Sequence, residues 1–376
     1  MSLQLEEHRA YLADRPRVEA LRRAIHATVR PGDVVLDLGC GTGVLGLIAC
    51  EAGASRVYAV DDGGMIEIAR AIAQASGYGP RIIHVPGHST KIDLPERPGV
   101  LVFDQIGSFG FDAGLLEYAL DARRRLLQPG ARVMPGPVTV HVALASSAEI
   151  RSRIDFWDSR PSGIDASPAR STVENTEYPI EPRHAELHSE GAAVMTAVPA
   201  SWDGEPLSGR VSLTAATNAR VDGLAGWFVA ELAPGITMTN APADANRIDR
   251  RIAFLPFDRP IDLRAGDTLD VSVRLLAADM ILAWDVSSAD GAHRRSQSTW
   301  HGLLLVRETR QRTRGDAVPV LTARGEARRT LLELCDGVRK VADIERALVA
   351  RHPDLFPVER DAAAFAAEVL AIYATS

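Results

Sequence analysis

The sequence contains little cysteine and no excess of positive charge. Only three cysteines, Cys40, Cys50 and Cys335, occur in 376 residues, and their spacing fits no metal site. A chain of this kind has no disulfide framework, which is typical of a reducing compartment. The formal net charge of −7 argues against an extended phosphate-binding surface, because nucleic-acid-binding domains usually carry a basic excess. We therefore expect neither a metal site nor a nucleic-acid partner.

Long apolar runs are also missing. The segment 1–17 is charged throughout and lacks the apolar centre of a signal peptide. No stretch approaches the ~20 apolar residues that a membrane-spanning helix needs. Hydrophobic residues still make up 46% of the chain and charged residues 24%, as in ordinary globular proteins. These features predict a cytoplasmic protein without a membrane partner, and the length favours two or three domains.

The first third of the chain alternates short apolar runs with helical stretches. The runs lie at 34–38, 57–60, 82–85 and 100–103. Such runs between helices are typical of strands buried on both faces of a parallel sheet. A helical pattern precedes them at 6–29, and an amphipathic helix is predicted over 115–127. Residues 1–135 therefore predict an α/β domain with a Rossmann-like, doubly wound sheet.

Strand-like alternation replaces this pattern after residues 135–137. Alternating runs at 138–144, 211–215 and 269–275 are separated by turn signals. They predict an antiparallel β-barrel domain over 136–306, with a polar arm at 158–188. Residues 307–316 are charged and linker-like. Three helical patterns, at 324–335, 341–352 and 358–373, predict a small helical or winged-helix module over 317–376.

The most informative segment lies where the first predicted strand ends. It reads Val35-Leu36-Asp37-Leu38-Gly39-Cys40-Gly41-Thr42-Gly43. The glycines permit tight turns and let main-chain N–H groups approach a ligand. Residues 41–46 satisfy the dinucleotide fingerprint G-x-G-x-x-G, but that fingerprint requires neither Asp37 nor Gly39, and no lysine follows to make a P-loop. The pattern D-x-G-x-G-x-G resembles motif I of class I methyltransferases. The resemblance implies that Asp37, Gly39, Cys40, Gly41 and Gly43 bind S-adenosylmethionine.

An acidic position follows about 20 residues beyond the glycines, where nucleotide-binding folds place a ribose ligand. The predicted strand 57–60 ends at Asp61, whose carboxylate could accept from both ribose hydroxyls. A dinucleotide site would use an acid here too, so this position does not separate the two ligands. Asp62 is the competing candidate, and either residue could instead cap the next helix. Asp61 is favoured because it falls directly at the strand end.

Further segments resemble the protein arginine methyltransferase family. Residues 8–17 are similar to its helix H-x-x-M-L-x-D-x-x-R, which implies that Arg17 pairs with the carboxylate of the cofactor. Residues 87–90 stand in its G-x-x-E place near the adenine, with Thr90 for the acid, which implies that His88 and Ser89 contact the cofactor. Matches to other family motifs occur at 53–61, 127–135, 223–228 and 254–267. The resemblance also implies a homodimer, in which the arm packs on the partner's cofactor domain.

The acceptor motifs depart from that family. Its loop S-E-x-M-G-x-x-L-x-x-E holds a guanidinium between two glutamates. In this chain Asp104 takes the first place and Ala113 the second, with Asp112 beside it, and Ile248-Asp249-Arg250 replaces the barrel motif T-H-W. One carboxylate on a side chain shorter than glutamate cannot form the two bidentate hydrogen-bonded pairs that two glutamates form with a guanidinium. We therefore predict a methyltransferase that acts on a nitrogen or oxygen of a peptide or small biosynthetic intermediate, with Asp104 and Asp112 as catalytic candidates.

Two alternatives for function stay open. One is a true protein arginine N-methyltransferase that uses both aspartates, and the other is a non-catalytic protein that binds cofactor or peptide. Asp104 could also be no more than a capping acid. Residues 330–344 resemble the L-x-L-C-D-G-x-R-T-x-x-E-I signature of PqqD-like domains, winged helices that capture leader peptides. That resemblance implies a leader peptide as a further partner, whereas a stabilising helical cap is the alternative.

Overall fold

A computed structural model describes residues 3–277, 281–304 and 315–374 of the chain. It contains two compact units, residues 1–303 and 304–376. The boundary predicted at 135 within the first unit stays a prediction. Most of the predicted linker, residues 307–314, lies outside the described residues.

The first unit begins with a five-stranded parallel sheet in the order β3-β2-β1-β4-β5. Its strands are β1 (Val34–Leu38), β2 (Arg56–Asp61), β3 (Ile82–Pro86), β4 (Val100–Val102) and β5 (Arg132–Met134). The central strands are apolar on both faces and almost fully buried, which explains their continuous apolar runs. From β1 the chain continues through β2 and β3 on one side of the sheet and then through β4 and β5 on the other side. Ligands of doubly wound folds bind at the carboxyl ends of the strands at such a switch point. The predicted Rossmann-like domain is confirmed.

Helices accompany these strands. They are α1 (Leu3–Ala13), α2 (Arg15–Thr28), α3 (Val44–Glu51), α4 (Met65–Ala75) and α5 (Leu115–Asp121). The single helix predicted over 6–29 is two helices, because Asp14 caps the second one by accepting from the Arg17 amide at 3.3 Å. The helix predicted over 115–127 is α-helical only to Asp121 and continues as a π-helical turn over residues 122–126.

Antiparallel strands follow in two sheets, ordered β7-β13-β11-β6-β8, with β9 and β12 alongside, and β10-β14-β15-β16. They are β6 (Val138–Ser146), β7 (Tyr178–Ile180), β8 (Glu186–Leu187), β9 (Ala192–Ala197), β10 (Leu207–Thr214), β11 (Ala219–Ala233), β12 (Ile236–Thr239), β13 (Ile252–Leu263), β14 (Thr268–Leu276), β15 (Ile281–Ser288) and β16 (Arg294–Ser298). Fully buried Trp284 in β15 donates from Nε1 to the Pro256 carbonyl in β13 at 2.9 Å and so joins the sheets. Within the described residues, the predicted antiparallel domain is a curled half-barrel.

The predicted arm is only partly separate from this half-barrel. After α6 (Ala148–Asp155) the chain forms short 3₁₀ turns and the one-turn helix α7 (Arg170–Val173). The next two strands, β7 and β8, then pair with β13 and β6. Residues 158–188 therefore contribute two edge strands to the larger sheet.

The second unit contains three helices in its described part, α8 (Ala323–Leu334), α9 (Val341–Arg351) and α10 (Glu359–Tyr373). Leu331, Leu348 and Phe365 contribute to a core of their own. No strand occurs in residues 315–374, and Val318 and Val320 are 90% and 86% exposed. Of the two forms predicted, the described residues show the helical one. In the described ranges, no helix combines the length and hydrophobicity required to cross a bilayer.

Candidate active site

The glycine loop follows β1 directly and lies between two other segments. Gly39 and Gly41 have φ angles of +69° and +52°, a region that side chains other than glycine rarely adopt. A Cβ on Gly39 would lie 2.1 Å from Gln105 Nε2, and one on Gly41 would lie 2.5 Å from the His8 ring. Glycine fits these two positions because of their φ angles and because side chains of α1 and of the segment after β4 approach the loop closely. Gly43 precedes α3 as its N-cap residue.

Asp37, in β1, and Cys40, within the loop, are both buried. Asp37 is fully buried, and its Oδ2 accepts from the Gly46 amide at 2.8 Å. Burial raises the pKa of Asp37 to about 7, and the negative charge of Asp61 acts in the same direction. Cys40 is also buried, which raises the pKa of its thiol and disfavours the reactive thiolate. Asp37 therefore braces the start of α3, and its predicted contact with cofactor stays a prediction.

Asp61 points towards the glycine loop from the end of β2. Its Oδ2 accepts from the Gly41 amide at 2.9 Å and its Oδ1 from the Gly63 amide at 2.8 Å. Each carboxylate oxygen keeps a further lone pair, so ribose hydroxyls could still donate to it. Asp62 is exposed and, with Gly39 and Asp61, lines a cleft at the carboxyl ends of β1 and β2.

His88 and Ser89 complete the cleft on the β3 side. The cleft is lined by Leu38, Gly39, Val60, Asp61, Asp62, Gly87, His88, Ser89, Gln105 and Tyr118. His88 Nδ1 lies 2.8 Å from Thr90 Oγ1, and its ring centroid is 5.8 Å from that of Tyr118. Ser89 is buried, and its carbonyl accepts from Arg125 Nη2 at 2.7 Å. The structure thus brings five of the predicted cofactor residues to one cleft.

Arg17 and Asp104 were predicted to serve different ligands, but they contact each other. Arg17 Nε and Nη2 lie 2.7 Å and 2.6 Å from Asp104 Oδ2. Arg17 Nη1 donates to the Tyr11 carbonyl at 3.1 Å, and its Cζ lies 5.0 Å from the Tyr11 ring centroid. The Asp104 side chain is 4% exposed. The guanidinium is thus fixed by a carboxylate, a carbonyl and an aromatic face.

A second arginine, Arg250, also contacts Asp104. Its Nη2 lies 3.3 Å from Asp104 Oδ2, and its Nη1 donates to the Ile106 carbonyl. Among the described residues, no group donates to Asp104 Oδ1, although this atom is buried. In the sequence Arg250 only occupies the T-H-W place. No local pattern reveals its contact with Asp104, because the two residues lie 146 positions apart in the chain.

Asp112 organises the loop after Asp104. Its carboxylate accepts from the Ser108 amide and the Phe109 amide, both at 2.8 Å, and from Ser108 Oγ at 2.7 Å. A Cβ on Gly107 would lie 2.0 Å from Asp112 Oδ1, so the turn requires glycine there. Asp112 therefore faces its own loop, and its predicted catalytic role stays a prediction.

Glu177, from the predicted arm, adds a carboxyl group that sequence reasoning missed. Its Oε1 lies 3.4 Å from Ser108 Oγ. The residue reaches the surface in part, but its carboxyl is enclosed by protein, and this burial, with the charge of Asp112, raises the pKa of Glu177 to about 8. The two acids line a small cavity with Phe109, Phe111, Met195, Leu275 and Leu282. No group of three or more potential metal ligands occurs in the described ranges.

Known proteins are similar to this chain in sequence. Residues 19–97 match the family described as ribosomal protein L11 methyltransferase (PrmA). An arginine N(omega)-methyltransferase of Streptomyces achromogenes subsp. streptozoticus is 30% identical over 282 residues, which cover 73% of this chain and 77% of that protein. A probable protein arginine N-methyltransferase 6 of Arabidopsis thaliana is 34% identical over 163 residues, 43% of this chain and 37% of that protein.

Solved structures share the fold. The Trypanosoma brucei PRMT1 enzyme-prozyme heterotetrameric complex with AdoHcy has a TM-score of 0.68 at 22% identity and covers 77% of this chain and 96% of that one. Arabidopsis thaliana protein arginine methyltransferase 10 has a TM-score of 0.64 at 21% identity, with 78% and 98% covered. At 22% and 21% identity these two structures show the shared fold. The Streptomyces relative shows that the chain belongs to the arginine N-methyltransferase family and is an S-adenosylmethionine-dependent methyltransferase.

Proposed function

We propose that this enzyme methylates a nitrogen atom that is bound at Asp104. The observation that carries the proposal is the buried Oδ1 of Asp104, to which no described residue donates, while Oδ2 accepts from two arginines. A carboxylate oxygen can only accept, so its partner must present an N–H or O–H group. An unpaired buried acceptor costs roughly 1–3 kcal/mol, which such a donor would recover. The name of the Streptomyces relative supports nitrogen over oxygen.

The residues of the cleft fit S-adenosylmethionine. We propose that Arg17 faces its carboxylate, Asp61 its ribose, and His88 and Ser89 its adenine. The last three line one cleft beside the glycine loop, and Arg17 contacts Asp104, the chain neighbour of the cleft residue Gln105. When bound, the cofactor supplies a methyl group on a cationic sulfur, which keeps the electron pair of the S–C bond as the N–C bond forms. Asp104 would hold an N–H of the acceptor, orient the nitrogen lone pair towards the cleft, and receive the proton released.

The test is methyl transfer by the wild type and by Asp104→Asn, with free L-arginine, an arginine-containing peptide and simple amines as acceptors. We expect kcat/KM to fall by about 100-fold in Asp104→Asn, since a transition-state interaction of about 2.7 kcal/mol is removed. S-adenosylhomocysteine affinity should change less than about 3-fold, or about 0.65 kcal/mol. Full activity of Asp104→Asn would contradict the proposal. The control is Asp62→Asn, which removes an exposed charge of the same cleft.

The same assay separates the rival that the sequence left open. A true protein arginine methyltransferase would act on the peptide far better than on the free acceptors, and methylarginine would appear in hydrolysates of the peptide. The geometry favours the broader proposal, because Asp112 accepts three hydrogen bonds from its own loop and is not turned to an acceptor beside Asp104.

We also propose a homodimer formed through the arm. Ile164 and Phe156, in or next to the predicted arm, are 65% and 50% exposed. Large apolar side chains on one exposed segment fit a protein interface. A molar mass of one chain in solution at micromolar concentration would contradict this proposal.

A leader peptide remains the proposed partner of the C-terminal unit. The exposed Val318, Val320 and Val338 offer apolar side chains to an extended peptide. In the methyl-transfer assay on the full chain, this proposal requires a lower KM for an acceptor on a leader-bearing peptide than for the same acceptor free. Equal KM values would favour the stabilising cap.

A further inference from the structure

Arg250 is held in place beside the Asp104 carboxylate, at which the methyl acceptor is proposed to bind. Its side chain is 15% exposed and spans from the segment before β13 to the loop after β4. There its guanidinium contacts Asp104 Oδ2 at 3.3 Å and donates to the Ile106 carbonyl, and its Cζ lies 6.0 Å from the Phe228 ring centroid. A carboxylate, a carbonyl and an aromatic face together match the chemistry of a guanidinium.

The backbone on both sides of Arg250 is fixed as well. The Asp249 amide donates to Asp14 Oδ2 at 2.8 Å, at the junction of α1 and α2. The Arg251 carbonyl accepts from Asn240 Nδ2 at 2.7 Å, and the same nitrogen donates to the Ser108 carbonyl at 2.8 Å. Asn240 is fully buried. The guanidinium of Arg250 is thus held by the same network that holds the acceptor loop.

The charges around Asp104 do not balance. One carboxylate faces two guanidinium groups, and both approach its Oδ2. An acceptor that donates to Oδ1 would arrive as the third group on this carboxylate. The cofactor carboxylate proposed for Arg17 offsets the charge of that arginine alone. A cationic acceptor and Arg250 would therefore still share the single negative charge of Asp104 within a few ångströms, where Coulomb repulsion is poorly screened. An acceptor without net positive charge avoids this repulsion.

We propose that Arg250 is a specificity-determining residue, a fixed cation that selects nitrogen acceptors without net positive charge. The inference rests on the proposed function, because it requires the acceptor at Asp104. An uncharged amine meets the condition, and so does a guanidine that carries its own carboxylate. Arg250 has no role in the proton transfer and acts only through its charge and position.

The test measures binding by calorimetry to the full chain saturated with S-adenosylhomocysteine. The probes are methylguanidine, a cation, and guanidinoacetate, which has the same guanidinium and a carboxylate. We expect the wild type to bind guanidinoacetate about 10-fold or more tightly than methylguanidine. Arg250→Gln keeps a polar side chain and removes the charge, so the preference should fall to about 2-fold or less. Arg250→Lys keeps the charge and should keep the preference.

The matched control is Arg251→Gln, because the Arg251 side chain is 61% exposed and pairs with Glu181 at 3.4 Å. It should bind both probes as the wild type does. An unchanged preference in folded Arg250→Gln, or a wild type that prefers methylguanidine, would overturn the inference. Asp104→Asn separates the two proposals: if its affinity for both probes equals that of the wild type, the acceptor does not bind at Asp104 and the proposed function itself fails.

Discussion

The proposed site has a cofactor half around the glycine loop and Asp61 and an acceptor half around Asp104, and the two halves are built in opposite ways. In the cofactor half, the glycine loop and Asp61 meet through main-chain N–H groups at the ends of neighbouring strands. In the acceptor half, Asp104 is held by side chains that lie 87 and 146 residues away in the chain. The first arrangement depends on backbone shape, which a short motif can encode. The second depends on charged side chains from distant segments, so a single substitution can change what it accepts.

The strongest test of the cofactor half is Gly41→Ala. Alanine at φ +52° costs about 1–2 kcal/mol, and its Cβ would also press on the His8 ring at 2.5 Å. We expect affinity for S-adenosylhomocysteine, measured by calorimetry, to fall by about 30-fold or more, equivalent to about 2 kcal/mol.

Gly32→Ala is the matched control for this effect. Gly32 has φ +91° and no atom within 4 Å of an added Cβ, so the same strain arises away from the cleft. It should lose stability and keep cofactor affinity. Equal affinities in Gly41→Ala and Gly32→Ala would show that the loop does not shape the cofactor site.

The backbone geometry of the cofactor half was largely predictable because its determinants are local. The segment 34–61 alone predicts where the two strands end, at Leu38 and Asp61, and that glycines follow the first of them. The sequence could not show that Gln105 and His8 pack over Gly39 and Gly41, since those contacts depend on how three elements converge.

Asp61→Asn tests the contact between β2 and the glycine loop in the cofactor half. The asparagine keeps one acceptor oxygen for two backbone donors, the Gly41 and Gly63 amides, and loses the negative charge. We expect cofactor affinity to fall by about 10-fold, or about 1.4 kcal/mol, and the free energy of unfolding to fall by about 1 kcal/mol. Calorimetry and urea unfolding measure the two effects. Exposed Asp62→Asn is the control, and a larger loss there would reverse the preference for Asp61.

The acceptor half was predicted only in outline. The sequence placed Asp104 and Asp112 in one loop after the fourth strand but could not show that Asp112 turns back onto Ser108 and Phe109. Arg250 could not be foreseen at Asp104 either, because long-range pairing leaves no periodic signal. Glu177 lay in a segment predicted to be an arm, yet the pairing of β7 with β13 brings it to Ser108.

The smallest expected effect belongs to Glu177→Gln and concerns stability. The pKa of Glu177 is raised from 4.5 to about 8, so the folded chain binds this proton more tightly than the unfolded chain does. Below about pH 4.5 the carboxyl therefore does not lower the free energy of unfolding. It lowers this free energy progressively as the pH rises to about 8, and above that value the loss stays constant. Glutamine carries no charge at any of these pH values and avoids the cost.

We therefore expect Glu177→Gln to match the wild type near pH 4 and to exceed it by about 1 kcal/mol near pH 8.5, a value reduced for the partial exposure of the residue. Urea unfolding across this range measures the difference. Glu181→Gln, which removes the partner of Arg251, should follow the wild-type profile. Parallel profiles for Glu177→Gln and the wild type would mean that Glu177 is ionised in the fold, and the acceptor half would then carry a second negative charge beside Asp112.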